Sequence, residues 1–283
     1  MTPIGKVTGA AVAVILAVAA GCGGDGGGGG STSSSPSNPQ VSQAQQGQAA
    51  SAPVSQATDA ATEAILDGGI GGATTSIPAA PAVGFNWQGS INITLDLDAA
   101  DSQGNDRYPN VTGRISVAAS GTVTGTGSSG LAAYAVQVTT LTDVVYTDPY
   151  SASQGRIQAG ASWSYGLDVS WTWTDSLHWS ITTSSNALLS GLRASVTDGS
   201  STVSATVNST RDVAGSVSRS AGAISRSRSA TAHTEITLTD GTTTHVIVID
   251  TQGPTNIVIT VDGVVLGPYT AAQVISSFKM LIL

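Results

Sequence analysis

The chain is almost without lysine, glutamate and cysteine. Lys6 and Lys279 are its only lysines, Glu63 and Glu235 its only glutamates, and Cys22 its only cysteine in 283 residues. One cysteine excludes an intramolecular disulfide and any zinc site built on paired thiolates. A large β domain without such staples must be held by its own hydrophobic core. Charged residues make up only 10% of the chain, and the formal net charge is −8. That balance lacks the basic footprint with which proteins hold polyanions, so no nucleic-acid partner is expected. With so few glutamates, the carboxylate pair of a glycosidase would have to be aspartates. No G-x-S-x-G elbow is present, and a Ser/His/Asp triad assembled by the fold stays open beside an aspartate pair. The chain is read as non-catalytic and without a cofactor.

What is abundant is Ser, Thr, Gly, Ala and Val. Hydroxyl-bearing and β-branched residues suit strands whose outer faces are wetted by hydroxyls rather than by charges.

The start of the chain accounts for the cysteine. Lys6 gives a short positive segment, and "VTGAAVAVILAVAA", residues 7 to 20, is an apolar run too short to span a bilayer. It closes in "VAAGC", residues 18 to 22, which resembles the lipobox of bacterial lipoproteins, with Ala19 where that family more often has leucine. The resemblance covers residues 1–23. It implies cleavage after residue 21 and acylation of Cys22 with palmitate-type chains. With Gly23 next rather than aspartate, it also implies sorting to the outer membrane of the cell envelope. Each acyl chain adds about 0.8 kcal/mol per buried CH₂, so two or three hold a protein without a transmembrane helix. Loss of Lys6 leaves 18 acidic against 9 basic residues, a formal −9.

Four segments follow from composition: a signal peptide over 1–21, a lipidated and disordered Gly/Ser/Gln-rich tether over 22–53, a short helix with a Pro/Gly loop over 54–83, and a β domain over 84–283. "GGDGGGGGSTSSSPSNPQ" cannot bury a core. "VSQATDAATEAILDGG", residues 54 to 69, places Ala57, Ala60, Ala61, Ala64 and Ile65 at helical spacing. From about Phe85 the period becomes two. Asp198-Gly199, Asp240-Gly241 and Asp262-Gly263 mark two-residue hairpin loops. "HVIVID" and "NIVITVDGVVL" are apolar on both faces and predict central strands covered on two sides. "TAAQVISSFKML", residues 270 to 281, predicts a short closing helix. The fold class is mainly β: a single antiparallel domain, as a sandwich, a barrel or a curled sheet, with one short helix at each end.

The densest feature is "WSYGLDVSWTW", residues 163 to 173. Trp163, Tyr165, Trp171 and Trp173 alternate on one face, and burial of that face favours an odd-length loop that pairs Trp171 with Trp179. The plain account is a core wall, since aromatic rings dominate cores. The functional account is a ligand platform of Trp163, Tyr165, Trp171, Trp173 and Trp179 for a glycan or lipid. A membrane girdle is a third, but a transmembrane barrel needs an apolar band on every strand. Three lesser candidates remain. Asp96, Asp98, Asp101 and Asp106 crowd one loop and are weak calcium candidates, short of an EF-hand's spacing. "GTGSSG" matches a phosphate-loop spacing but precedes a strand rather than a helix. Arg219, Arg226 and Arg228 serve either to protect an edge strand or to dock an acidic surface. The expected partners are the membrane, through the lipid, and a glycan, lipid or envelope protein.

Overall fold

The structure, a computed structural model, describes residues 39–66, 85–99, 108, 110–126, 128–149, 151, 153–175, 177–221 and 223–278. Cys22, Asp101 and Asp106 lie outside them. Among the described residues thirteen antiparallel strands form one sheet: β1 (Phe85–Asp96), β2 (Val111–Thr112), β3 (Arg114–Gly125), β4 (Ser129–Thr140), β5 (Val144–Thr147), β6 (Gln154–Ile157), β7 (Ser162–Asp175), β8 (His178–Asp198), β9 (Ser201–Ser220), β10 (Ala223–Asp240), β11 (Thr243–Gln252), β12 (Ile257–Val261) and β13 (Val264–Tyr269). The hydrogen-bonded order is β1-β3-β4-β7-β8-β9-β10-β11-β12-β13, with β2, β5 and β6 on a branch. Among the described residues two helices complete the fold, α1 (Pro39–Ile65) and α2 (Ala271–Phe278). The mainly β, antiparallel expectation is met, and of its three forms the sheet takes the curled one.

The sheet forks at β8. Its first half pairs with β7 as far as Leu188, and its second half pairs with β6 from Ala194. Between them the β8–β9 register slips at Leu189 to Leu192, where Gly191 has φ +64° and donates its N–H to Asn208 Oδ1 at 2.7 Å. A bulge with a left-handed residue bends the strand and lets it change neighbours.

The helix near the start is present but longer than predicted, and it is not at the margin. It begins at Pro39, so the Gln/Ala/Ser stretch read as the end of the tether forms its first half. Its buried residues fall on every side of the axis, from Ala44, Gly47 and Ala49 to Ala61 and Ile65. A helix buried all round carries no amphipathic stripe. The curled sheet surrounds it: α1 touches β1, β3–β6 and β8–β12. It also touches α2. The approach is closest at Gly155, where a Cβ would lie 1.6 Å from the Ala49 carbonyl oxygen. At the other side Gly47 rests on Ile247. The N-terminal end is pinned by polar contacts. His245 Nδ1 lies 2.7 Å from Asp262 Oδ2, which leaves Nε2 to accept from Gln43 Nε2 at 3.0 Å.

The hairpins keep the predicted faces and move their turns. Asp198 pairs with Ser201 and Asp240 with Thr243, so the loops are 199–200 and 241–242, one residue later than read. Glycine then occupies the first central position with positive φ, as a II′ turn requires. At 262–263 both central residues have positive φ, the I′ pattern, as predicted. The helix at the end opens with a capping box. Thr270 Oγ1 accepts from the Gln273 N–H, and Gln273 Oε1 accepts from the Thr270 N–H at 2.8 Å.

One expectation fails. Of the strands apolar on both faces, β11 and β12 lie inside the sheet but are packed on one face, and β13 is not central. β13 is the sheet's edge, and Val264 and Val265 stand exposed. Ile247, Ile249, Ile257 and Ile259 bury one face of β11 and β12 against the core, while Val246 on the other face meets solvent. One packed face is enough to hold these strands once a helix fills the curl.

Candidate functional site

The aromatic ladder divides in two. Its first rungs belong to the seat of the helix. Trp163 and Tyr165 are almost fully buried in the main core. Trp163 Nε1 donates to Thr58 Oγ1 at 2.9 Å, and Thr58 Oγ1 donates to the Val54 carbonyl at 2.8 Å. Tyr165 Oη lies 2.9 Å from Thr62 Oγ1. Beside them the buried Arg211 holds Asp59 with both terminal nitrogens, at 3.2 and 3.4 Å. The contacts of Trp163, Tyr165 and Arg211 run from sheet to helix. Such polar pairs are costly to bury unless matched, and their matching sets the register of α1 inside the curl. Thr58, Thr62, Asp59 and Arg211 were not singled out in the sequence. Arg211 left a trace: it falls in phase with Val207, Ser209 and Val213, on the buried side of β9.

Burial pushes the Tyr165 phenol well above its ordinary range, and the nearby Asp59 carboxylate adds to it, against the opposing pull of Thr62 and Arg211. Burial raises Tyr134 as well. Below about pH 10 both folded and unfolded chains keep these protons. Above it the unfolded chain releases protons that the folded chain retains, so stability falls as pH rises. Urea unfolding followed from about pH 8 to about pH 11 is expected to show that loss in the native chain. The loss should be shallower in Tyr165→Phe, and equal slopes would mean that the phenol is open to water.

The later rungs pass beyond the helix. Cross-strand registers place Trp173, Trp179, Arg219 and Ile224 in one row over β7–β10, and Trp171, Ile181, Val217 and Arg226 in the next. The expected Trp171–Trp179 pair is displaced by one rung. A bulge between Trp173 and Asp175 pairs Trp173 with Trp179 instead, and the shared face survives. Their rings stack with centroids 6.2 Å apart and planes 7° from parallel. Trp179 and Val217 are buried, Trp173 and Ile181 partly so. Trp171 lies over Gly130, where a Cβ would come within 2.1 Å of the ring. At the ends of the two hairpins Leu177 and Ile224 are 46% and 47% exposed. Arg226 is exposed too. β11 covers β10 only from Thr231, so among the described residues the stretch 223–229 is an edge, as the arginines suggested.

The opposite face of these strands is polar. Ser170 bonds Thr182, Thr172 bonds Ser180 at 2.7 Å, and Ser216 bonds Ser227 at 2.8 Å. Asp168, Ser184 and Ser229 join them around a groove of about 410 Å³, rimmed by the exposed Leu131.

The remaining candidates are local. Asp96 Oδ1 accepts from the Asp98 N–H at 3.1 Å, and Asp98 Oδ2 accepts from the Gly113 N–H at 3.3 Å. Both act there as turn caps. Among the described residues no three acidic, His or Cys side chains gather as metal ligands. Gly125 ends β3 and Gly130 lies in β4, so the glycine-rich motif is a hairpin loop. His233 pairs with Asp250 on the outer face, and His245 faces the helix. Comparison with protein-family models, curated proteins and solved structures finds no match.

Proposed function

We propose that this chain is a lipid-anchored protein of the cell envelope, held at the outer membrane through Cys22. Its role is non-catalytic and structural, adhesive or binding, carried by the distal half of the sheet. The observation behind this reading is the direction of α1. Gln43 lies at the end of the molecule that carries the turns at 199–200, 241–242 and 262–263. Thr62 lies further along the curl, at Tyr165. The anchored segment therefore joins the proximal end. The β3–β4, β7–β8 and β9–β10 connections mark the distal end, where the Trp173 backbone N–H donates to the Ser128 carbonyl at 2.6 Å. β8, 21 residues long, covers up to about 65 Å between the two. The free end of a tethered body is where it meets a partner.

A carrier of lipid or glycan is the weaker reading. It needs a cavity lined by Trp163, Tyr165, Trp171 and Trp179, and α1 occupies that space against the first two. The anchor is tested by metabolic labelling. Cys22→Ala is expected to lose acyl label and to leave the outer-membrane fraction, whereas an unlabelled variant still found there would refute the lipid anchor.

A further inference from the structure

We infer that the distal inner face of β7–β10 is a binding site for an acidic saccharide chain. This rests on the reading of the protein as a binding module and names its ligand. The first support is the composition of the rows. Indoles stand on β7 and β8 and arginines on β9 and β10, at neighbouring register positions. Adjacent strands lie about 4.8 Å apart, so an indole and a guanidinium in one row are a few strand spacings from each other. A pyranose lays its C–H face on an indole, and a carboxylate takes the planar fork of arginine. The second support is charge. From residue 213 to 234 the chain holds Arg219, Arg226 and Arg228 and no acidic residue, in a protein of net charge −8. At the β7–β8 turn Asp175 is held by His178 at 3.0 Å, so the three arginines leave the distal end with a positive excess on an acidic body, which suits an anionic ligand.

Edge protection alone explains the arginines on β10. It does not explain why a stacked Trp173–Trp179 pair lies across β9 from them with Trp173 partly open. An acyl chain fits this face poorly. The rows behind the indoles carry Thr183, Gly215 and Ser185, each partly exposed, and offer no continuous apolar wall. Nucleic acid fits poorly as well, since the arginines are too few to track a phosphate backbone.

The test uses the full mature protein in detergent micelles, titrated with oligogalacturonate, with neutral dextran oligomers and with inorganic polyphosphate. Tryptophan emission and calorimetry report binding, and circular dichroism reports folding. Oligogalacturonate is expected to bind at least about tenfold more tightly than dextran. Arg226→Gln, a surface change, should weaken it about tenfold and flatten its salt dependence. Trp173→Phe should retain most of the binding that Trp173→Ala loses. Equal binding of dextran would overturn the inference. So would polyphosphate binding as tight as oligogalacturonate and indifferent to Trp173→Ala, which is ion exchange only. A folded, membrane-anchored protein that binds none of the three sinks this inference alone. Loss of acyl labelling on native Cys22 would instead sink the anchored-module reading.

Discussion

Deletion of residues 39–53 is expected to unfold the whole sheet. By composition this stretch is a dispensable tether. In the fold it is the first half of α1, and Ala44, Ala49, Ala50 and Ala52 are 0% exposed. Burying a methyl-sized group contributes about 0.8 kcal/mol, and the wall facing it contributes a comparable amount. Four alanines and their counterparts therefore account for about 6 kcal/mol, in the range of a domain's net stability of about 5–15 kcal/mol. The deletion also uncovers Ile247 and removes Gln43 from His245. Far-UV circular dichroism and limited proteolysis of the deleted chain check this. A retained β spectrum with a cooperative melt would show that the sheet stands without the helix.

Gly155→Val is expected to have the largest effect of any single substitution on β6. The obstruction is backbone rather than a movable side chain: a Cβ at residue 155 would sit 1.6 Å from the Ala49 oxygen and 2.5 Å from its carbonyl carbon. Neither atom can rotate away. Relief requires α1 to rise off β6, and its ties at Trp163–Thr58, Tyr165–Thr62 and Arg211–Asp59 oppose that shift. Overpacking commonly costs about 1–3 kcal/mol, and a helix forced off its seat should cost at least about 3 kcal/mol. Gly166→Ala is the control, because its nearest neighbour is the side-chain oxygen of Asn186 at 3.2 Å, which can move. Urea midpoints of the two variants and the native chain decide the matter. A Gly155→Val midpoint near that of Gly166→Ala would mean that the helix is not seated on β6.

How much was legible differs by element. Period-two alternation marked the strands, because only one face of each needs to be buried, and it placed Trp163, Tyr165 and Trp171 together on that face. Parity survived even where register did not. The bulge at Trp173 moved the pairing by two residues in sum, and a two-residue shift leaves every side chain on its own side. The first half of α1 was illegible for two reasons. Pro53 lacks a helical donor and reads locally as a boundary. Burial on all sides also removes the polar stripe by which helices are recognised. The distal site was half legible. The indoles and the arginines stand out in the sequence, but they are about 50 residues apart, and only long-range pairing across β8 and β9 aligns them in rows.

Local chemistry alone determined what this chain is made of: antiparallel strands with inward alternate residues, tight turns at glycines, a capped closing helix, and an acidic, lysine-poor composition. These depend on near neighbours and are written in short stretches. Only the tertiary structure decided that an alanine-rich helix fills the curl, that the apolar strands β11–β13 run to an open edge, and that the aromatic ladder splits into a buried half and a distal half. Those outcomes depend on which surfaces meet across more than 100 residues, where packing rather than propensity sets the lowest free energy.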